Sequence, residues 1–170
     1  LGTNDMKPAI AGTAYAARAG IQRLVGLIRN HEYSFDYDAP DILIVSPPPL
    51  CETADPVFSA MFRGAIEESS MLASLYRDLA DDLGCGFFDA GSVARTSPAD
   101  GVHLNAEETR AIGRGLEPIV RLMLGLCFGS TAVILGGPSL DTSPLIQRFV
   151  PCLPRRLNLH PIFRLPGCSS

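Results

Sequence analysis

A short apolar run stopped by three prolines is the feature that most constrains how this chain can fold. Residues 41–46 read DILIVS, and Pro47, Pro48 and Pro49 follow. A strand that is apolar on both faces needs cover on both faces, as in a parallel sheet packed between helices. The prolines should end the strand abruptly and stiffen the loop at its carboxyl end, which is the edge where open α/β sheets usually place their sites.

Helical periodicity lies on both sides of this run. Apolar residues recur at helical spacing over residues 9–30, 54–83 and 105–126, and Gly84 is expected to end the second helix. The segment 85–91, CGFFDAG, predicts a second short strand, and Pro118 is expected to kink the third helix. Alternating helices and strands predict an α/β fold with three layers, α/β/α, around a parallel sheet.

Composition and charge exclude several classes of protein. The 170 residues are 46% apolar and 19% charged, with a net charge of −4, as in an ordinary soluble domain. There is no basic stripe, so nucleic acid is not an expected partner. No apolar run reaches the roughly 18 residues that suggest a membrane span. The oligomeric state stays open, and a homo-oligomer is compatible with the sequence.

The cysteines and histidines suggest neither a metal site nor a cofactor. Five cysteines are scattered without C-x-x-C spacing, and the three histidines are far apart. An odd, scattered set of thiols favours a reduced, cytoplasmic protein. We therefore expect no metal ligands and no cofactor.

The chain changes character after residue 126. Residues 127–170 contain six prolines, a single acidic residue (Asp141) and no sustained periodicity. We therefore predict a core domain over residues 1–126 and a Pro-rich tail over residues 127–170.

The stretch DGVHLNAEE, residues 100–108, places a carboxylate three residues before an imidazole. Asn105 is predicted to cap the helix that follows, with Glu108 reaching back to complete a capping box. Asp100 and His103 would then share a short anchored loop. An Asp that accepts a hydrogen bond from one ring nitrogen leaves the other as a proton acceptor, as in a hydrolase triad.

The other informative stretch is LGTND, residues 1–5. Leu1 has the character of the last residue of a buried strand, Gly2 allows a tight turn, and Asn4 and Asp5 suit turn positions. The sequence starts directly on this turn with no strand before it. We therefore expect a domain that is incomplete at its N-terminus.

Together these blocks resemble the SGNH hydrolases, also called GDSL-type esterases and lipases, whose sheet is flavodoxin-like. LGTND is similar to the family's G-x-N-D block and DGVHL to its D-x-x-H block. SPPPL at 46–50 and FDAGSV at 88–93 resemble the bacterial arylesterase and acyltransferase branch. The resemblance covers residues 1–126.

The resemblance implies a serine esterase, or an acyltransferase, that acts on small or aryl esters. His103 would be the general base, Asp100 its orienting partner and Asn4 an oxyanion donor. Gly2 and Thr3 would border the substrate. Losing one oxyanion donor costs on the order of 3 kcal/mol of transition-state stabilisation.

The family's G-D-S nucleophile block is missing from this sequence, and no G-x-S-x-G replaces it. Ser46 and Ser92 lie near the ends of predicted strands, but both are better interpreted as hydroxyls that bond nearby backbone. Two hypotheses follow: an ester hydrolase domain whose nucleophile lies outside this chain, or a non-catalytic remnant of such a fold.

Overall fold

The computed structural model describes residues 1–34 and 37–126, so the prediction for residues 127–170 lies outside the described residues. The elements in order are a 3-10 turn (Thr3–Met6), α1 (Ala14–Arg29), β1 (Leu43–Ser46), α2 (Pro56–Met61), α3 (Ala65–Leu83), β2 (Gly86–Asp89), a second 3-10 turn (Ala90–Ser92) and α4 (Ala106–Met123). Both predicted strands form, each slightly shorter than the sequence suggested. Among the described residues, no helix has the length and apolarity needed to cross a membrane.

Helices cover both faces of the sheet. β1 and β2 pair in parallel, with Ile44 opposite Phe87. Phe87 packs against the core cluster, and its ring lies 5.2 Å from the guanidinium of Arg77 in α3. Phe88 is the next residue and so points to the other face, where it meets Gly115 of α4 so closely that a Cβ there would lie 2.7 Å from the ring. The predicted three-layer α/β/α arrangement with a parallel sheet is confirmed.

The core lies mainly between α1, α3 and the sheet. Small residues on α1 let its backbone approach α3 closely, and Glu68 of α3 accepts a hydrogen bond from the N–H of Ala14 at 2.7 Å. Thr13 caps the same helix end by accepting from the N–H of Ala16. The fully buried side chains here include Met6, Ala14, Leu72, Tyr76 and Leu79. Met6, near the start of the chain, is therefore part of the core that α1 and α3 share.

Two predicted helices have different bounds in the structure. The helix expected over residues 54–83 is divided in two, because Gly64 adopts a left-handed conformation (φ 78°) between α2 and α3. The first helix begins at Ala14 and not near residue 9, so Ile10 lies exposed in the preceding turn. Gly84 ends α3 with φ 60°, as predicted.

The helical spacing in the sequence predicts an inward apolar face for each helix, but several residues of these predicted faces are exposed. No residue of α4 is fully buried. Pro118 lies inside this helix. The sheet has two strands within the described residues, so helix faces extend beyond the surface that it can cover. Leu24, for example, lies with Leu1 and β1 along an open apolar groove of about 410 Å³. The other exposed members of this set are Val57, Met61, Ile66, Met71 and Val120.

Candidate active site

The acid–base loop, residues 100–103, joins a carboxylate and an imidazole in one hydrogen-bonded unit. Asp100 Oδ2 lies 2.7 Å from His103 Nδ1. Asp100 Oδ1 accepts from the backbone N–H groups of Val102 at 2.9 Å and His103 at 2.8 Å. The backbone N–H of His103, then that of Val102, then the His103 ring lower the pKa of Asp100 to about 2.

This arrangement fixes which ring nitrogen is free. An ionised carboxylate only accepts hydrogen bonds, so in the neutral ring Nδ1 carries the shared hydrogen and Nε2 is left as a proton acceptor. The His103 side chain is 69% exposed, whereas that of Asp100 is 23% exposed. The ring is therefore accessible from solvent while its partner is largely covered. Such a pair can serve as a general base with an orienting acid.

A buried glycine places the acid–base loop on the rest of the domain. Gly101 has φ 76°, and a Cβ there would lie 2.4 Å from the carbonyl oxygen of Cys51. The Gly101 carbonyl accepts from the Cys51 N–H at 3.0 Å. Thr53 Oγ1 adds a hydrogen bond to the Ala99 carbonyl at 3.1 Å. The segment after β1 and its prolines thus holds the loop.

The helix that follows the loop is capped as predicted, but not by a full capping box. Asn105 Oδ1 accepts from the N–H of Glu108 at 2.9 Å. Glu108 does not reach back to Asn105. Its Oε2 accepts from the backbone N–H of Arg95 at 2.7 Å. The carboxylate therefore ties α4 to the loop after β2, a contact 13 residues apart that local pattern cannot reveal.

The N-terminal turn, residues 1–5, holds the other candidate residues. Gly2 is buried with φ 108°, Thr3 is half-buried, and Asn4 is exposed. The N–H of Asp5 donates to the Gly2 carbonyl at 3.0 Å, which closes the turn. The turn therefore presents the Asn4 amide to solvent, where it can donate to a ligand oxygen.

An aromatic series connects the acid–base loop with the segment after the N-terminal turn. The Phe58 ring of α2 meets His103 edge to face, with centroids 5.7 Å apart and planes at 79°. Phe58 stacks parallel to Phe62 at 6.3 Å, and Lys7 Nζ lies 5.1 Å from the Phe62 centroid. The structure joins Asp100 to His103 directly, whereas no hydrogen bond among the described residues joins Asn4 to either.

Two residues that position the acid–base loop, Gly101 and Phe58, were not predicted from the sequence. The Asp-Gly pair at 100–101 is a turn signal that could have indicated a left-handed Gly101. Asp55 followed by Pro56 marks a helix start, and Asp55 Oδ1 does cap α2 by accepting from the N–H groups of Val57 and Phe58. That signal predicts α2 but not the contact of its ring with His103.

Neither strand-end serine is placed as a nucleophile. Ser46 is fully buried, and its Oγ donates to Asp89 Oδ1 at 3.1 Å. Ser92 Oγ donates to the Asp89 carbonyl at 2.6 Å. Ser92 bonds nearby backbone, as predicted, whereas Ser46 bonds a side chain on the neighbouring strand and not nearby backbone.

Three solved structures to which this chain is similar are described as esterases. A carbohydrate acetylesterase family member from Sinorhizobium meliloti is 68% identical, with a TM-score of 0.73 over 74% of this chain and 60% of that chain. Est24, a carbohydrate acetylesterase from the same species, is 38% identical, with a TM-score of 0.68 over 72% and 58%. The M. smegmatis aryl esterase is 36% identical, also with a TM-score of 0.68 over 72% and 58%.

The fold and the similarity to these solved structures together identify the family of the chain. The chain belongs to the SGNH, or GDSL-type, hydrolases. It spans about 60% of the length of the solved structures that it matches. No family model and no curated protein matches it.

Proposed function

We propose that this chain carries the acid–base pair and one oxyanion donor of a carboxylic ester hydrolase. The observation that carries the proposal is the 2.7 Å contact between Asp100 Oδ2 and His103 Nδ1 on an exposed loop. Further support comes from the solved relatives, which are described as carbohydrate acetylesterases and an aryl esterase. Small acyl esters of sugars or phenols are therefore the proposed substrates.

In the proposed mechanism His103 Nε2 removes the proton from a serine hydroxyl as its oxygen attacks the ester carbonyl. Asp100 stays ionised and stabilises the imidazolium that forms. The Asn4 side-chain amide donates to the carbonyl oxygen as that oxygen becomes an anion. The imidazolium then returns the proton to the leaving alcohol. Gly2 and Thr3 border the substrate beside Asn4.

The nucleophile of this mechanism lies outside the present chain, which carries no G-D-S block. In the described residues no serine makes a hydrogen bond with His103. We therefore propose that the chain by itself is inactive. Water, or an acceptor alcohol in an acyl transfer, would complete the second half-reaction in the whole enzyme.

A fluorophosphonate probe, which reacts with activated serines, tests this function. The chain alone should take up no probe and should hydrolyse p-nitrophenyl acetate no faster than its His103→Ala variant. A polypeptide expressed from the reading frame that extends upstream of Leu1 should be labelled at one serine. His103→Ala in that polypeptide should abolish labelling, because the serine loses its base.

His31 offers a matched control, because its ring is exposed and contacts Tyr33 on a different loop. His31→Ala should leave labelling unchanged. An unlabelled longer polypeptide would favour the second hypothesis, a non-catalytic remnant of the fold. Labelling that survives His103→Ala would refute the assigned base.

A further inference from the structure

The hydroxyl of a buried tyrosine on α3 contacts the backbone of the N-terminal turn. Tyr76 is fully buried, and it is one of the largest side chains in that state. Its hydroxyl donates to the carbonyl oxygen of Leu1 at 3.3 Å, a contact 75 residues apart in sequence. Neither the acid–base pair nor the capping network uses this hydroxyl. This polar contact joins α3 to Leu1, the residue that precedes Gly2.

The same hydroxyl fills the space beside Gly2. A Cβ on Gly2 would lie 2.3 Å from Tyr76 Oη, and 3.6 Å from Cβ of Ala17 on α1. Gly2 also has φ 108°, a conformation that other residues rarely adopt. The turn is therefore clamped between α1 and α3 at a position that only glycine fits.

The position of Asn4 depends on the contacts that Leu1 and Gly2 make with Tyr76. Its carbonyl accepts from the N–H of Lys7 at 3.2 Å, and the carbonyl of Gly2 accepts from the N–H of Asp5 at 3.0 Å. Within the described part of the chain, no hydrogen bond restrains the Asn4 side chain itself. The backbone that Tyr76 contacts therefore sets the position from which the Asn4 side chain leaves the turn.

Tyr76 keeps its proton over the whole physiological range. Burial, and secondarily the negative charge of Asp5, raise the pKa of Tyr76 to about 12. A neutral phenol can donate to the Leu1 carbonyl, whereas a phenolate cannot. The donor is therefore permanent under working conditions.

We propose that Tyr76 is a positioning residue for the oxyanion donor: its hydroxyl fixes the backbone of Leu1 and Gly2, and the turn then places the backbone of Asn4, from which the amide reaches the developing oxyanion. This inference rests on the proposed function, in which Asn4 donates to the developing oxyanion. Tyr76 itself touches no substrate. It acts through the backbone of the N-terminal turn.

Nuclear magnetic resonance of the chain with Tyr76→Phe tests the proposal without any turnover. The Asn4 side-chain amide signals should shift and broaden, while the signals of Asp100 and His103 stay in place. Hydrogen-exchange protection of the Asp5 amide should fall about fivefold, the effect expected for loss of one hydrogen bond. A merely structural role would instead spread small shifts evenly through α3 and the sheet.

Tyr33→Phe is the matched control, because Tyr33 also donates its hydroxyl to a backbone carbonyl, that of Ile28, at 2.9 Å. It should leave the Asn4 amide unchanged. Equal Asn4 shifts in both variants, or none with Tyr76→Phe, would overturn the proposal.

A second variant changes Gly2, which lies against the Tyr76 hydroxyl, and keeps the buried tyrosine itself. Gly2→Ala should disturb the same Asn4 and Asp5 signals, and adding Tyr76→Phe should relieve part of that disturbance, since the clashing hydroxyl is gone. Strictly additive signal shifts in the double variant would count against a direct contact between Gly2 and the Tyr76 hydroxyl. Failure of the esterase assignment would be seen separately, as a longer polypeptide that takes up no fluorophosphonate probe.

Discussion

The two halves of the candidate site are held in opposite ways. The acid–base loop orients its own side chains, because one carboxylate, Asp100, bonds both to the His103 ring and to the backbone of the loop. The N-terminal turn has no such internal device around Asn4. It is held by Gly2 and by the hydroxyl of Tyr76, which is distant in sequence.

The side-chain geometry of Asp100 and His103 is therefore set within their own loop, whereas the position of Asn4 is set by contacts with other elements. The Asp100–His103 pair should keep its geometry as long as the loop exists, whereas Asn4 depends on the packing of α1 against α3. A disturbance of the core should therefore move the oxyanion donor before it moves the acid–base pair. The predictions below test this contrast, beginning with the largest expected effect.

Gly101→Ala should be the most damaging single substitution in the acid–base loop. Its Cβ would lie 2.4 Å from the backbone oxygen of Cys51, which cannot move away as a side chain could. Together with the left-handed backbone strain, the free energy of unfolding should fall by about 3 kcal/mol. Urea denaturation measures this change.

Gly84→Ala separates the strain from the clash, because Gly84 has φ 60° and no neighbouring atom packs within 4 Å of the Cβ that alanine would add. It should cost about 1 kcal/mol. Equal costs for the two substitutions would show that contact with Cys51 does not hold the loop.

Alkaline pH should weaken the N-terminal turn. The pKa of Tyr76 is raised from 10.0 to about 12 in the folded chain, so the folded state binds this proton more tightly than the unfolded state does. The resulting stability is fully present below pH 10 and is lost as the pH rises towards 12. Urea denaturation at pH 9 and pH 11 should show a larger loss for the parent chain than for Tyr76→Phe. Parallel losses would argue against burial of an un-ionised phenol.

Acidic pH should weaken the acid–base loop instead. The pKa of Asp100 is lowered from 3.8 to about 2, so its hydrogen bonds contribute stability above pH 3.8 that is lost as the pH falls towards 2. The carboxyl carbon signal of Asp100 should titrate with a midpoint near 2, while the Asn4 amide signals stay unchanged. A midpoint near 3.8 would mean that the loop hydrogen bonds do not persist in solution.

Phe58→Leu should have a smaller effect on stability than Gly101→Ala. Leucine keeps most of the apolar volume but loses the edge-to-face contact with the His103 ring, so the cost should be about 0.5–1.5 kcal/mol. The His103 ring signals should broaden as the ring gains freedom. Phe87→Leu, on β2 and away from the loop, is the control. Unchanged ring signals in Phe58→Leu would leave Asp100 as the sole restraint on the imidazole.

The same contrast explains how much could be predicted from the sequence. The strands, the Asn105 cap and the Asp100–His103 pair depend on residues a few positions apart, so local pattern predicted them. The contact of Tyr76 with Leu1 depends on how two helices pack, and no local pattern carries that information. In the sequence Tyr76 is only one more apolar residue on a helix face.

The errors have the same origin. Glu108 was expected to cap its own helix, but it bonds to Arg95, which folding brings beside it. The division between α2 and α3 required a left-handed Gly64, whereas the apolar spacing alone suggested a continuous helix. Val57 and Val120 are exposed in spite of their helical spacing, because a helical period shows which residues share a face and not what covers that face.

The central claim is that Asp100 leaves Nε2 of His103 free to accept a proton. Long-range nitrogen–proton correlation spectra of the neutral ring identify the tautomer directly. We expect hydrogen on Nδ1 and a bare Nε2, and we expect Asp100→Asn to disturb this preference because an amide can present its N–H₂ group to Nδ1. Hydrogen on Nε2 in the parent chain would refute the assignment of His103, since that nitrogen could not then act as the base.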